Sequence, residues 1–246
     1  MELNEFMFPV EVRPVAVHDG ITNFEHFLPS DYKAIVRADT NETISILKKS
    51  YQIVENQDLI NNLLAELSEL STPYRIDPSH SFVDNKRMRL QITFPELTMQ
   101  DSDSEIALSL YLHNSYDMSE GIRMIWGAIR CICTNGMVFG TVLGKYYAKH
   151  TKGFKISNLK DSLTATYDLI PAIQNRIKQL ESSPVTQELK NRVEKGVGKK
   201  LSKTVFEQSP LTEWQMYNGL TNYISHVMKQ RHKSRYQQAI SRIFAL

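Results

Sequence analysis

Lys86-Arg87-Met88-Arg89-Leu90-Gln91-Ile92-Thr93-Phe94, followed after a polar stretch by Ile106-Ala107-Leu108-Ser109-Leu110-Tyr111-Leu112-His113, decides how the front of this chain folds. Successive side chains of a strand point to opposite faces. Met88, Leu90, Ile92 and Phe94 therefore share one side, and Arg87, Arg89, Gln91 and Thr93 the other. Ile106, Leu108, Leu110 and Leu112 repeat the pattern, with Ala107, Ser109, Tyr111 and His113 opposite. Two consecutive strands, each apolar on one face, predict an antiparallel pair that a second layer must cover. Pro95–Ser104, which holds Glu96, Asp101 and Asp103, is expected to be the connection of a long hairpin.

Toward the N-terminus, Lys33–Ala38 and Thr43–Tyr51 predict an earlier hairpin that turns through Asp39-Thr40-Asn41-Glu42. Asn56 is placed to cap a helix, and Ile60, Leu63, Leu64, Leu67 and Leu70 follow at helical spacing until Ser71-Thr72-Pro73. Toward the C-terminus, residues 122–133 read as a further strand. Asn135-Gly136 supplies the positive φ angles of a tight turn after it, and Met137–Leu143 is expected to pair back. Beyond about Gly153 the apolar period changes to 3.6. Leu159, Leu163, Ile170, Ile173, Ile177 and Leu180 line a long helix that Pro171 is expected to kink. Ser183-Pro184 is expected to open a second helix that ends at Gly196, and a short one follows at Lys199–Glu207. A last long helix starts at Ser209-Pro210 or at the capping box Thr212…Gln215, with Trp214, Tyr217, Leu220, Ile224, Val227 and Met228 as its packing stripe. The fold class is α+β: an antiparallel, sheet-rich N-terminal part (1–153) with a covering helix, then a helical part (154–246), across a soft boundary, with one domain as the alternative.

Charge divides the chain in the same sense. Residues 1–120 carry 20 Asp and Glu against 9 Lys and Arg, and residues 121–246 carry 7 against 20, which the overall balance of +2 conceals. After Glu213 there is no acid, while Lys229, Arg231, Lys233, Arg235 and Arg242 all follow. Such asymmetry points to a polyanionic partner or to subunits that meet acidic face against basic face. At 41% apolar and 23% charged residues the composition is that of a globular protein. No run approaches the ~18 apolar residues of a membrane span, and the acidic start Met-Glu-Leu-Asn-Glu is unlike a secretory signal, so the expected location is cytoplasmic, with no membrane partner.

Catalytic and metal motifs are not found. Gly140…Gly144-Lys145 has three residues between its glycines and Tyr146 where a phosphate loop needs Ser or Thr. Cys131 and Cys133 supply two thiolates and no third ligand, and read as reduced thiols on one strand face. Asp77, His80 and Asp84 sit in a Pro- and Ser-rich turn that reads as a solvated loop. No catalytic residue, metal or cofactor is assigned, and a non-enzymatic protein is expected. The basic segments say more. Lys145, Lys149, Lys152, Lys155 and Lys160 recur with Tyr146, Tyr147, His150 and Phe154 between them, a pattern in which cations hold phosphates and rings stack bases. A second cluster, Lys190, Arg192, Lys195, Lys199, Lys200 and Lys203, is partly neutralised by Glu188 and Glu194 and reads as a solvated helix face. Asn218, Asn222, His226 and Lys229 form a polar ridge that runs into the basic tail.

Three stretches carry a resemblance. Tyr32–Thr40 with Tyr51–Asn56, the central Cys133-Thr134-Asn135-Gly136-Met137, and Asn218-Gly219-Leu220-Thr221-Asn222-Tyr223 resemble a phage- and plasmid-encoded protein family of unknown function, with Gly219 where the family has Ala and Asn222 where an acid is common. The resemblance implies a mobile-element origin, a bacterial host cytoplasm and a link to DNA replication or recombination, and it carries over no catalytic residues. The expected function is non-enzymatic binding of nucleic acid, single-stranded DNA foremost, by a protein that self-associates head to tail. Lys145, Lys149, Lys152, Lys155 and Lys160, with Lys229, Arg231, Lys233, Arg235 and Arg242, are the expected phosphate track. The alternative is an interaction protein that binds or inhibits a host factor such as a defence system.

Overall fold

The computed structural model describes residues 2–18, 20, 27–77, 80–130, 136–138, 145–148 and 159–246. A short turn of helix at Leu3–Phe6 leads into β1 (Val10–His18), β2 (Phe27–Arg37) and β3 (Thr43–Lys48), an antiparallel sheet in that order. The β2–β3 turn lies where Asp39–Glu42 predicts it, with Asn41 at a φ of 58°. β1 and the outer half of β2 were not foreseen, because Pro14, Pro29 and charged residues interrupt the alternation there.

The second sheet contains β4 (Arg75–Ile76), β5 (Phe82–Val83), β6 (Arg87–Gln100), β7 (Glu105–Ser115), β8 (Ile122–Arg130), β9 (Gly136–Val138) and β10 (Lys145–Ala148). β6, β7 and β8 form the antiparallel centre; β4 and β5 both pair along one edge, on β6, and β9 and β10 along the other, on β8. The hairpin of β6 and β7 is longer than its alternation predicts. A bulge between Phe94 and Thr98 absorbs Pro95, so β6 runs on to Gln100 and the connection shrinks to Asp101–Ser104. There the Asp101 carboxylate accepts the backbone N–H groups of Asp103 and Ser104 at 2.9 and 2.7 Å and closes the turn. Cys131, Cys133 and the Asn135 turn residue lie outside the described residues, as does the expected 153/154 boundary.

The helices are α1 (Asn56–Ser68), α2 (Leu159–Ser182), α3 (Gln187–Val197), α4 (Lys199–Phe206), α5 (Glu213–His226) and α6 (Gln230–Phe244). Antiparallel sheets thus occupy the N-terminal part and most helices the C-terminal part, an α+β arrangement. Three helix ends differ from the sequence reading. Glu55, not Asn56, takes the cap position of α1; Asn56 is buried, its N–H bonded to the Tyr116 hydroxyl at 2.8 Å and its side-chain oxygen to Asn114 at 2.8 Å. Thr186, not Ser183, caps α3, while Pro184 bridges to Thr212. Gly196 lies inside α3, where a Cβ would meet Ile243 at 2.6 Å, and Gly198, at a φ of 83°, ends the helix. The last helix is two: Thr212 caps α5 as the capping-box pattern predicts, and the chain breaks at Val227–Lys229 before α6. Val227, expected in the packing stripe, is therefore exposed, while Trp214, Tyr217, Leu220 and Ile224 are buried.

One apolar cluster joins both parts of the chain. Met88, Leu90, Ile92 and Phe94 of β6 and Leu108, Leu110 and Leu112 of β7 pack with α1 through Leu59 and Leu63, and with the C-terminal helices through Ile173, Ile177, Val193, Trp214, Tyr217 and Phe244. Polar bonds fix the register of that contact. The Gln174 side chain bonds the backbone of Gln100 in both directions, at 2.7 and 2.5 Å. Glu181 accepts the Ser102 N–H at 2.7 Å, and Trp214 Nε1 donates to the buried Asp101 carboxylate at 2.8 Å. Replacing Trp214 by Phe keeps the ring in the core but removes that donor to a buried charge. The expected loss is about 1–3 kcal/mol of unfolding free energy, read as a lower urea midpoint with an unchanged denaturant slope.

Candidate functional site

The second face of β6–β7–β8 is polar, as the alternation requires, but it is not solvated. Gln91, Thr93, Ser109 and His113 are all buried. Direct cross-strand partners lie on one face of a sheet, and the register sets Arg89 opposite His113, His113 opposite Arg123, and Arg123 opposite Tyr147 of β10. One step along, Gln91, Tyr111, Ile125 and Lys145 are aligned in the same way. Buried polar groups need partners, and these have them. The Gln91 N–H donates to Ser81 Oγ at 2.9 Å, Thr93 and Ser109 share a bond of 3.3 Å, and the Tyr111 hydroxyl donates to the Ala128 carbonyl at 3.3 Å.

Glu120 closes this face. The turn after β7 brings it back over the sheet, where Ser115 Oγ donates to its carbonyl at 2.6 Å and accepts its N–H at 3.1 Å. Its carboxylate pairs with Arg89 and lies 3.2 Å from His113 Nδ1. Burial by itself raises the Glu120 carboxyl, but the His113 hydrogen bond and the charge of Arg89 outweigh it and bring the group down to about 2. His113 is held below its ordinary value, first by burial and also by the neighbouring Arg89 and Arg123 charges, against the pull of Glu120. A neutral imidazole that donates Nδ1–H to Glu120 satisfies both. Lys233 of α6 joins the same field. Burial and the charge of Arg89 lower its ammonium, which donates to the Ser225 carbonyl at 2.5 Å.

The expected phosphate track divides accordingly. Lys145 lies on β10, beside the polar rows, and Lys160 near the start of α2; Lys149, Lys152 and Lys155 fall outside the described residues. Lys229 is exposed at the start of α6, and Arg231 follows one residue into the helix. Lys233, expected on the phosphate track, is half-buried, and its ammonium is held by the Ser225 carbonyl of α5. Arg235 and Arg242 are exposed, the latter donating to Gln238 one turn back at 3.2 Å. Asn218, Asn222 and His226 share one side of α5, but Lys229 belongs to the next element, so the ridge does not continue into the basic tail. Asn218 is half-buried, and Asn222 and His226 are exposed. Gly219 has a packing reason: a Cβ there would lie 3.0 Å from Val205 of α4.

Arg89, His113, Glu120 and Arg123 were missed as a group. Their signal was present in the alternation, which puts Arg89 and His113 on one face, but a polar sheet face reads as solvated until the tertiary fold buries it. Acidification tests the group. His113 titrates lower in the folded state than when unfolded, so below about pH 6.5 the unfolded chain takes up its proton first and stability falls. Glu120, also lowered, adds a further loss below about pH 4.3. His113→Gln should flatten the upper part of this decline and, since the His113 hydrogen bond helps to lower Glu120, shrink the lower part as well, measured as urea midpoints from pH 7.5 to 2.5.

Among the described residues no three His, Cys, Asp or Glu side chains are grouped to hold a metal. No described helix is long and apolar enough to cross a membrane. No curated protein and no solved structure matches the chain. Residues 43–246, from β3 to the end, match the domain of unknown function DUF932, and the chain belongs to that family.

Proposed function

We propose that this protein binds nucleic acid without enzymatic turnover, prefers single-stranded DNA, and self-assembles head to tail. In this reading it serves phage or plasmid DNA replication or recombination in the cytoplasm of a bacterial host. One observation carries the reading. Two basic stretches far apart in sequence reach the same sheet, since β10 pairs Lys145 and Tyr147 in register with Ile125 and Arg123 of β8, and Lys233 of α6 lies in the field of Arg89 of β6. Arg89 pairs with Glu120, the Arg123 charge acts on His113 beside them, and the Arg89 charge acts in turn on Lys233 of α6. From there the exposed Lys229, Arg235 and Arg242 extend the positive charge along α6, a segment with no acid to neutralise it. Cations in a line neutralise a backbone of phosphates and release its counterions, and tyrosines among them stack bases of any sequence.

The test is fluorescence anisotropy with a labelled single-stranded oligonucleotide at several salt concentrations. Lys229, Arg235 and Arg242 replaced together by Ala remove up to three phosphate contacts from an exposed surface. Each contributes about 0.7 to the slope of log affinity against log salt, so the slope should flatten by about 2 while the melting temperature holds. Failure of the unmodified protein to bind any oligonucleotide at low salt would end this reading in favour of a protein that docks on a host factor.

A further inference from the structure

Two cations outside the proposed phosphate track stand at the C-terminal end of α6. Arg176 of α2 donates to the Phe244 carbonyl from Nε at 3.1 Å and from Nη2 at 2.9 Å. Arg192 of α3 donates from Nη2 to the neighbouring Ile243 carbonyl at 2.6 Å. Packing explains the approach, since Ile243 fills the space that Gly196, one turn after Arg192, leaves without a Cβ. α6 adds Arg242 in its own last turn, where Nε donates back to the Gln238 carbonyl at 3.2 Å. Three helices thus bring guanidinium groups to one helix end.

The last carbonyls of a helix carry about half a negative charge, which a single cation offsets. Three guanidinium groups exceed that, and none of them is paired with a carboxylate among the described residues. Arg176 is half-buried and also donates from Nη1 to Gln179 at 3.2 Å. Arg192 and Arg242 are exposed, and each uses a single N–H of its fork on a carbonyl. Such a bond fixes where a guanidinium sits and leaves its other donors for an anion, and the planar fork matches a phosphate. Lys195, three residues on from Arg192, shares its side of α3 and is exposed. Of the acids on α3, Glu194 lines the cleft toward α4 with Lys199 and Lys203, and Glu188, one turn before Arg192, makes no ion pair with it.

We infer that the phosphate backbone bound along α6 continues past the C-terminal end of that helix onto α3, where Arg192 and Lys195 each contact a phosphate and Arg176 adds its charge. The inference deepens the nucleic-acid reading above and rests on it. It gives a role to part of the 190–203 cluster, which by sequence reads only as a solvated helix face. Lys229, Arg235 and Arg242 lead along α6 to this end, and Arg192, bonded to Ile243, stands where α3 meets it.

Anisotropy of a labelled single-stranded oligonucleotide, titrated at several salt concentrations, tests it. Arg192→Gln with Lys195→Gln removes two charges from exposed helix positions, and the slope of log affinity against log salt should flatten by about 1.4. Arg192→Lys keeps the charge and should keep the unmodified slope. If Arg192 serves only to cap α6, both variants lower the melting temperature and neither changes the slope, which overturns the inference. An equal fall in slope for Arg192→Lys and for the double variant would also overturn it, because lost packing rather than lost charge would then be the cause. The two readings fail in different ways. No binding by the unmodified protein at low salt removes the nucleic-acid reading and this inference with it. Binding that responds to replacement of Lys229, Arg235 and Arg242 but not of Arg192 and Lys195 removes the α3 contact alone.

Discussion

Burial of β6, β7 and β8 on both faces is the constraint from which the rest of the structure follows. One face is apolar and is closed by α1 and the C-terminal helices, which gather Leu63, Ile177, Trp214 and Phe244 over the row from Met88 to Phe94. The other is polar, and burying it obliges each donor and acceptor to find a partner inside the protein. The bonds among Ser81, Gln91, Thr93 and Ser109 meet that obligation at one end of the face. At the other, Arg89, His113 and Glu120 do so with charge.

The two faces are coupled to the helices by different physics. On the apolar side the attachment is non-directional burial, which tolerates sliding, and Asp101, Gln174 and Glu181 add the directional bonds that set where α2 and α5 sit along the hairpin. On the polar side α6 approaches through Lys233, whose ammonium is lowered by burial and by Arg89 and is held by the Ser225 carbonyl. A cation placed against like charge is costly unless an anion offsets it. Glu120 supplies a negative charge beside Arg89, while the charges of Arg89 and Arg123 act on His113 and that of Arg89 on Lys233. The structure thus sets a buried, hydrogen-bonded polar sheet face beside a helix rich in exposed cations.

Much of the fold was legible beforehand. The alternation from Met88 to Phe94 and from Ile106 to Leu112 identified the central hairpin, because half-burial imposes a period of two. Thr212 and Gln215 announced the start of α5, because a cap is a local hydrogen bond. Boundaries that depend on distant partners were misread. Asn56 has the chemistry of a cap, yet Tyr116 and Asn114, some sixty residues away, recruit it into the core instead. Ser183-Pro184 has the pattern of a helix start, yet the bridge to Thr212 holds it extended. Gly196 looked like a stop, but Ile243 of α6 needs its missing side chain.

For the candidate site the sequence by itself determined which residues are basic, where acids are lacking, and that Arg89 and His113 share a strand-pair face, because charge and alternation are local properties. Only the tertiary structure decided which of those charges meet. Strand register aligned Arg89, His113, Arg123 and Tyr147, and the turn at Glu120 folded a carboxylate onto the first two. The break at Val227–Lys229 turned an expected single helix into two and carried Lys233 back against α5. Such meetings depend on how far apart in sequence the chain folds back on itself. No local pattern encodes that distance, and packing across the whole core selects it.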